Sequence, residues 1–256
     1  MQQAPLILCI GGHDPTGGAG IQADIESVTA VGGQALTLVT GLTAQNTHDI
    51  SAVLPTPVDF FAAQADALLR DIHPDAVKIG LIGSVPLVGV IRGLLDGYPG
   101  PVVLDPVLAA GGGFDLDGNG LTAAISGQLL PLATLVTPNR AEARRLSGSD
   151  DMEQAARILL QAGAGAALIT GADEAQGDQV SNLLFTSLGE PVAFSWPRLP
   201  HRYHGSGCTL ASACATRLAL GDDLPAAVER AQQFTWKALQ RAVRPGGGQW
   251  LPGRHR

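Results

Sequence analysis

The chain has 256 residues, 45% of them hydrophobic and 15% charged, enough apolar material to bury the core of one α/β domain. A formal net charge of −7 excludes general attraction to nucleic acid or to an anionic membrane surface, so an anionic ligand must be held by a local site. Cys9, Cys208 and Cys214 show no C-x-x-C spacing, and no apolar run reaches the roughly 18 residues of a membrane span; the expectation is a cytoplasmic protein with a small-molecule partner.

Leu6 to Ile10 is a continuous apolar run that predicts a strand buried on both faces of a parallel sheet. The loop His13 to Gly20 is glycine-rich but has neither the G-x-G-x-x-G spacing nor the Gly-Lys-Ser/Thr ending of common nucleotide loops. Ile21 to Val31 has helical spacing, with Asp24 placed near the mouth of that loop, either as a ligand contact or as a first-turn acid favoured by the helix dipole. Leu36 to Thr40 predicts a strand and Thr43 to Thr47 a polar loop after it, where ligands of α/β sheets bind.

From Pro57 the alternation continues: a helix to about Ile72, a strand Ala76 to Ile79, a helix Val85 to Leu95, and a strand Val102 to Leu104 running into Asp105-Pro106. Asp105 thus sits at a strand end, a position suited to chemistry or metal contact, and Ala109 to Gly113 reads as a flexible flap or a linker. After a strand at Leu135 to Thr137, Asn139 and Glu142 share the first turn of a helix reaching Leu146. They read either as a capping box or as groups that orient waters around Mg²⁺.

Asp151 to Ala162 is amphipathic, Ala166 to Thr170 predicts a strand before a polar loop at Gly171 to Asp173, and Val180 to Phe185 with Val192 to Trp196 predicts an antiparallel pair. His204-Gly205-Ser206-Gly207-Cys208-Thr209 then feeds the apolar run Leu210 to Leu220, which places a helix N-terminus directly behind two glycines. Such a terminus carries unsatisfied N–H groups and favours an anion, and the same field would stabilise a Cys208 thiolate; the bland reading is a tight turn feeding a buried helix. A last helix spans Pro225 to Val243, and the tail from Gly246 to Gly248 with Pro252 is expected on the surface.

Five blocks together resemble the hydroxymethylpyrimidine/phosphomethylpyrimidine kinases of thiamine biosynthesis, in the ribokinase-like superfamily. They are Gly12 to Asp24, Thr43 to Thr47, Asp105-Pro106-Val107, Thr137-Pro138-Asn139 with Glu142, and His204 to Leu210. The resemblance covers nearly the whole chain. It implies one kinase domain over residues 1–256, with a three-layer α/β/α fold, a mostly parallel central sheet, and a homodimeric state. It also implies phosphorylation of 4-amino-5-hydroxymethyl-2-methylpyrimidine, and then of its monophosphate, with ATP and Mg²⁺.

By motif, Asp24, Gln45, Gly12 and Val107 would hold the pyrimidine, Asn139 and Thr209 the nucleotide, and Asp105 and Glu142 the Mg²⁺. Gly205, Ser206 and Gly207 would form the anion hole, with Cys208 as the base in the place where most of the superfamily has an aspartate. Two lysines common in the family are absent, after the Asp-Pro-Val block and at Thr170; Arg140, Arg198 and Arg202 are candidate replacements. A pyridoxal or pyridoxine kinase, and a non-catalytic ligand-binding protein on a degenerate kinase scaffold, remain as alternatives.

Overall fold

Successive side chains of a strand point to opposite faces, and β1, Leu6–His13, sends Ile7 and Cys9 into one core and Leu8 and Ile10 into another. A strand that is apolar on both faces needs cover on both sides, and a computed structural model of the chain shows that cover. It describes residues 4–108, 120–172 and 177–255.

Along the chain, α1 is Gly20–Val31, β2 Gln34–Gln45, β3 Ile50–Pro55, α2 Val58–Leu69, β4 Ala76–Ile79, α3 Val85–Leu95 and β5 Val102–Leu104. There follow α4 Leu121–Gln128, β6 Leu135–Val136, α5 Arg140–Ser147, α6 Met152–Gln161, β7 Ala166–Ile169, β8 Gln179–Thr186, β9 Val192–Pro197, α7 Ser206–Ala219 and α8 Leu224–Gln240.

Among the described residues these strands form one sheet in the order β3-β2-β1-β4-β5-β6-β7-β8-β9. Pairing is parallel from β2 through β7 and antiparallel at β2–β3, β7–β8 and β8–β9. One face carries α2, α3 and α4 on Leu8, Ile10, Val77 and Ile79; the other carries α1, α7 and α8 on Ile7, Cys9, Ala76 and Val103. The three-layer, mostly parallel architecture is therefore present. The C-terminal ends of β1, β4, β5, β6 and β7 point to one side, where such sheets hold ligands.

Three expectations need correction. Thr43 to Gln45 is not a loop: it is the end of β2, paired with β3, which the sequence reading lacked. The turn lies later, at Asn46 to Asp49, where Asn46 Oδ1 accepts the His48 N–H at 2.8 Å. Helix α4 was likewise unforeseen. The third correction concerns part of the tail: Gly246 and Gly247 are exposed as expected, but Pro252 is buried and the chain around it is packed. Trp250 stacks on His201 with ring centroids 4.0 Å apart, Gln249 N–H donates to Thr47 O, and Leu251 is buried. Ala109 to Gly113 and Asp173 lie outside the described residues.

Candidate active site

The cavity at the strand ends has a volume of about 700 Å³. Its walls bring together ten of the twelve predicted site residues: Gly12, Gln45, Asp105, Val107, Asn139, Glu142, Gly205, Ser206, Gly207 and Cys208. Asp24 and Thr209 do not line it.

The N-terminus of α7 forms one wall. Gly205 is its N-cap with φ +86°, and a Cβ there would lie 1.8 Å from Gly18 O, so both the backbone conformation and the space require glycine. The Gly205 carbonyl accepts Thr209 N–H at 3.0 Å and the Thr209 hydroxyl at 2.7 Å. A trans peptide points its N–H opposite to its C=O, so the Ser206 N–H faces away from the helix, and the Gly207 N–H beside it has no helical acceptor either. These donors, with the helix dipole behind them, make an anion cradle.

The first glycine-rich loop is pinned to the cradle. Asp14 accepts from Thr16 N–H at 2.8 Å and Ala19 N–H at 2.7 Å, and its Oδ2 lies 3.0 Å from His204 Nε2. Burial raises the Asp14 pKa, but the bonds from His204, Thr16 and Ala19 outweigh it and bring the group down to about 2.

Beneath the cradle lies a charged cluster that the motifs did not announce. Lys78 shares strand parity with Ala76, so it points to the α1 and α7 side, where its Nζ meets Asp24 Oδ1 at 2.8 Å. Ser212 donates to the same oxygen at 2.7 Å. Asp24 is fully buried, so its carboxylate is a counter-ion under the pocket floor rather than a contact on the substrate's edge. Burial would lower the pKa of Lys78, but Asp24, Cys208 and Asp105 together raise it, and the ammonium stays charged. The sequence did hold a signal: a lysine inside a four-residue strand buried on both faces is costly without a partner and a purpose.

Cys208 and Asp105 meet in the same cluster, and each shifts the proton affinity of the other. Burial dominates and pushes the thiol up to about 12, because Lys78 recovers only part of that effect while Asp105 and Asp24 oppose it. The expected resting thiolate is thus corrected: desolvation, with Asp105 and Asp24 beside the thiol, outweighs the pull of Lys78. Asp105 is raised to about 6, chiefly by burial, with Lys78 and Cys208 pulling down and Asp24 pushing up.

Asn139 and Glu142 form a complete capping box: Asn139 Oδ1 accepts Glu142 N–H at 2.9 Å and Glu142 Oε2 accepts Asn139 N–H at 3.0 Å. Both still face the cavity. Asp105 Oδ2 is buried without a hydrogen-bond partner among the described residues, which suits a hydrated hard cation held by one or two carboxylates. Among the described residues no cluster of three or more His, Cys, Asp or Glu side chains is arranged to enclose a metal on its own.

Thr209 is turned away from the cavity, fully buried, with its hydroxyl engaged by Gly205 O and Arg254. Of the three candidate arginines, Arg198 and Arg202 line the cavity and Arg140 does not; Arg145 lines it as well. Trp196, Trp236 and Leu239 give the cavity an apolar wall, the two indoles tilted by 33°, with Gln232 Oε1 fixed by Asn182 at 2.7 Å and by Trp196 Nε1 at 3.1 Å. No helix among the described residues is long and apolar enough to cross a membrane.

Comparison with known proteins agrees with this geometry. The phosphomethylpyrimidine kinase family model matches residues 14–252. A hydroxymethylpyrimidine/phosphomethylpyrimidine kinase of Streptomyces coelicolor is 38% identical over 250 residues, covering 95% of this chain and 92% of its own length. A thiamine biosynthesis bifunctional protein of Geobacter sulfurreducens is 40% identical over 94% of this chain, which spans 50% of that protein's length. Among solved structures, the pyridoxal kinase of Staphylococcus aureus in complex with pyridoxal superposes with a TM-score of 0.89 at 29% identity, covering 99% of this chain and 95% of that one. A phosphomethylpyrimidine kinase of Clostridium difficile superposes with a TM-score of 0.78 at 31% identity, covering 92% and 99%.

Proposed function

The chain belongs to the phosphomethylpyrimidine kinase family, and from that premise we propose that it phosphorylates 4-amino-5-hydroxymethyl-2-methylpyrimidine and then its monophosphate at the expense of ATP. The observation that carries this reading is the α7 terminus, whose Ser206 and Gly207 N–H groups open into the same cavity as Gln45. An anion cradle and an amide side chain able to match an aminopyrimidine edge share one space.

In this reading the nucleotide base lies against Trp196 and Trp236, and its phosphates run toward the cradle. The cradle's N–H groups stabilise charge on the transferring phosphoryl oxygens, and charged Lys78 supports that field from below. Gln45 and the Gly12 backbone orient the pyrimidine, with Val107 on the apolar side. Asp105 and Glu142 would hold Mg²⁺ through water, and its contribution is to neutralise phosphate charge. A loose phosphoryl-transfer transition state places little demand on a base. The protonated Cys208 therefore serves the cradle as a polar, close-fitting neighbour of Asp105 rather than as a resting thiolate.

A second reading, phosphorylation of pyridoxal, is favoured by the match to the S. aureus pyridoxal kinase. Both acceptors present a hydroxymethyl group on an aromatic ring; Gln45 supports the aminopyrimidine. A coupled assay of ATP turnover with the hydroxymethylpyrimidine, its monophosphate and pyridoxal separates the two, and turnover with none of them overturns the kinase reading. A homodimer is part of the same proposal, supported by Leu42 and Leu54 exposed on the β2–β3 hairpin; three free thiols support a reducing, cytoplasmic setting.

A further inference from the structure

Arg254, in the segment after α8, has a side chain only 1% exposed, and burying a guanidinium is costly unless its donors are satisfied. Its partners come from three separate parts of the chain. Nε donates to Thr209 Oγ1 at 2.8 Å, Nη1 to Glu26 Oε2 at 3.1 Å and to Gly17 O at 3.4 Å, and Nη2 to Gly18 O. One planar group thus clamps the first glycine-rich loop to α7, directly behind the cradle.

The direction of these bonds carries the inference. A hydroxyl has a single proton; with Arg254 donating to its oxygen, the Thr209 hydroxyl directs that proton to Gly205 O at 2.7 Å. Gly205 O is the carbonyl of the peptide whose N–H is that of Ser206, so fixing the oxygen aims the N–H. We propose that Arg254 is a positioning residue for phosphoryl transfer, acting through the Thr209 hydroxyl to hold the Gly205–Ser206 peptide in its anion-binding orientation. This rests on the kinase reading above, and the test separates the two.

The probe is equilibrium binding of ADP and of AMP-PCP to the full chain, which needs no acceptor. The preference for AMP-PCP over ADP reports contacts to the terminal phosphate, whereas general damage weakens both nucleotides alike. Arg254→Met and Thr209→Val are each expected to cut that preference by about tenfold, the scale of one weakened hydrogen bond to a charged group. Their combination is expected to do no worse than the more damaging single change, because both break one relay. Thr209→Ser keeps the hydroxyl and is expected to keep the preference. If Arg254→Met does not fold, the Val and Ser variants at Thr209 carry the same comparison. Equal loss for both nucleotides, additive losses, or an unaltered preference in Thr209→Val overturns the assignment. Normal wild-type binding without turnover of any acceptor instead removes the kinase reading and leaves the relay standing.

Discussion

Lys78 Nζ sits 2.8 Å from Asp24 Oδ1 with both side chains sealed from solvent, so the charge that supports the cradle is itself held in place by a buried counter-ion. Removing one partner strands a charge in a low-dielectric setting, and Asp24→Asn or Lys78→Met is expected to cost roughly 3–5 kcal/mol of stability by chemical denaturation. Asp24→Asn with Lys78→Met removes both charges of the pair and keeps an acceptor for Ser212, so at a pH below about 6, where Asp105 is protonated, most of that loss should return. Turnover should not return with it, because the cation is gone. A double variant with both restored would reduce the pair to a packing device.

Asp105 provides a test in the opposite direction. Its pKa is about 6 in the folded protein against an ordinary 3.8, so the folded state takes up a proton before the unfolded chain does. The favourable contribution of the group is fully present below pH 3.8 and is lost as pH rises through about 6. In metal-free protein at pH 8 the buried carboxylate therefore destabilises, and Asp105→Asn should gain about 3 kcal/mol there. The gain should shrink to nothing near pH 4, while turnover falls at every pH. Urea titrations at the two pH values decide it: a gain independent of pH, or none at pH 8, contradicts the assigned burial cost.

Cys208 is protonated at neutral pH, with its thiol at about 12. If it acts as a polar neighbour rather than a base, Cys208→Ala should slow phosphorylation of the alcohol and of the monophosphate by similar factors, since both steps use the same cradle. A base would be needed by the alcohol far more than by an acceptor that is already anionic. A much larger loss in the first step would restore the base assignment.

Much of the fold was legible because short apolar runs were bounded by Gly, Pro or Asp. The bounds of β4, α3 and β5 coincide with the predicted ones, and the antiparallel β8–β9 pair was foreseen. Strand β3 escaped because it is an edge strand, largely exposed, whose identity comes from pairing with β2 rather than from its own residues. Asp24 shows a second limit: helical spacing identifies the face a residue occupies but not how deep that face lies. Arg254 was invisible for a third reason. Its partners Thr209 and Gly17 are 45 and 237 residues away, and no local pattern marks a contact made only by the folded chain.

Two glycines permit close backbone approaches here, Gly20 between the loop and β1 and Gly205 between the cradle and the loop. A Cβ on Gly20 would lie 2.3 Å from Gly12 O at φ +60°, and one on Gly205 would lie 1.8 Å from Gly18 O at φ +86°. In each case backbone meets backbone, so no rotamer change relieves the clash. Gly205→Ala and Gly20→Ala should each reduce kcat at least about 100-fold, the scale of a misaligned anion hole. Gly17 also has a positive φ, +74°, but among the described residues nothing lies within 4 Å of an added Cβ, so Gly17→Ala should show only the strain of that backbone conformation. Equal kinetic losses at Gly17 and Gly205 would mean that strain, not close approach, governs this region.

Gln45 is where the two acceptor readings separate. Its Nε2 donates to Thr43 Oγ1 at 2.7 Å, and Thr43 donates to His13 O at 2.9 Å. The Thr43 hydroxyl spends its one proton on His13, so it can only accept from Gln45, and that fixes which end of the amide faces Thr43. One Nε2 proton and the whole of Oε1 remain for a ligand, which matches a ring nitrogen acceptor beside an amine donor. Gln45→Met keeps the length and removes both groups. It should lower kcat/KM for the hydroxymethylpyrimidine by roughly 10–100-fold, the scale of one or two lost hydrogen bonds at about 1.4 kcal/mol each. Pyridoxal, which has no amine beside its ring nitrogen, should lose much less. Parallel progress curves with the two alcohols measure the ratio directly. A parallel loss on both would place the aminopyrimidine edge elsewhere in the cavity and take away the residue that favours the pyrimidine over pyridoxal.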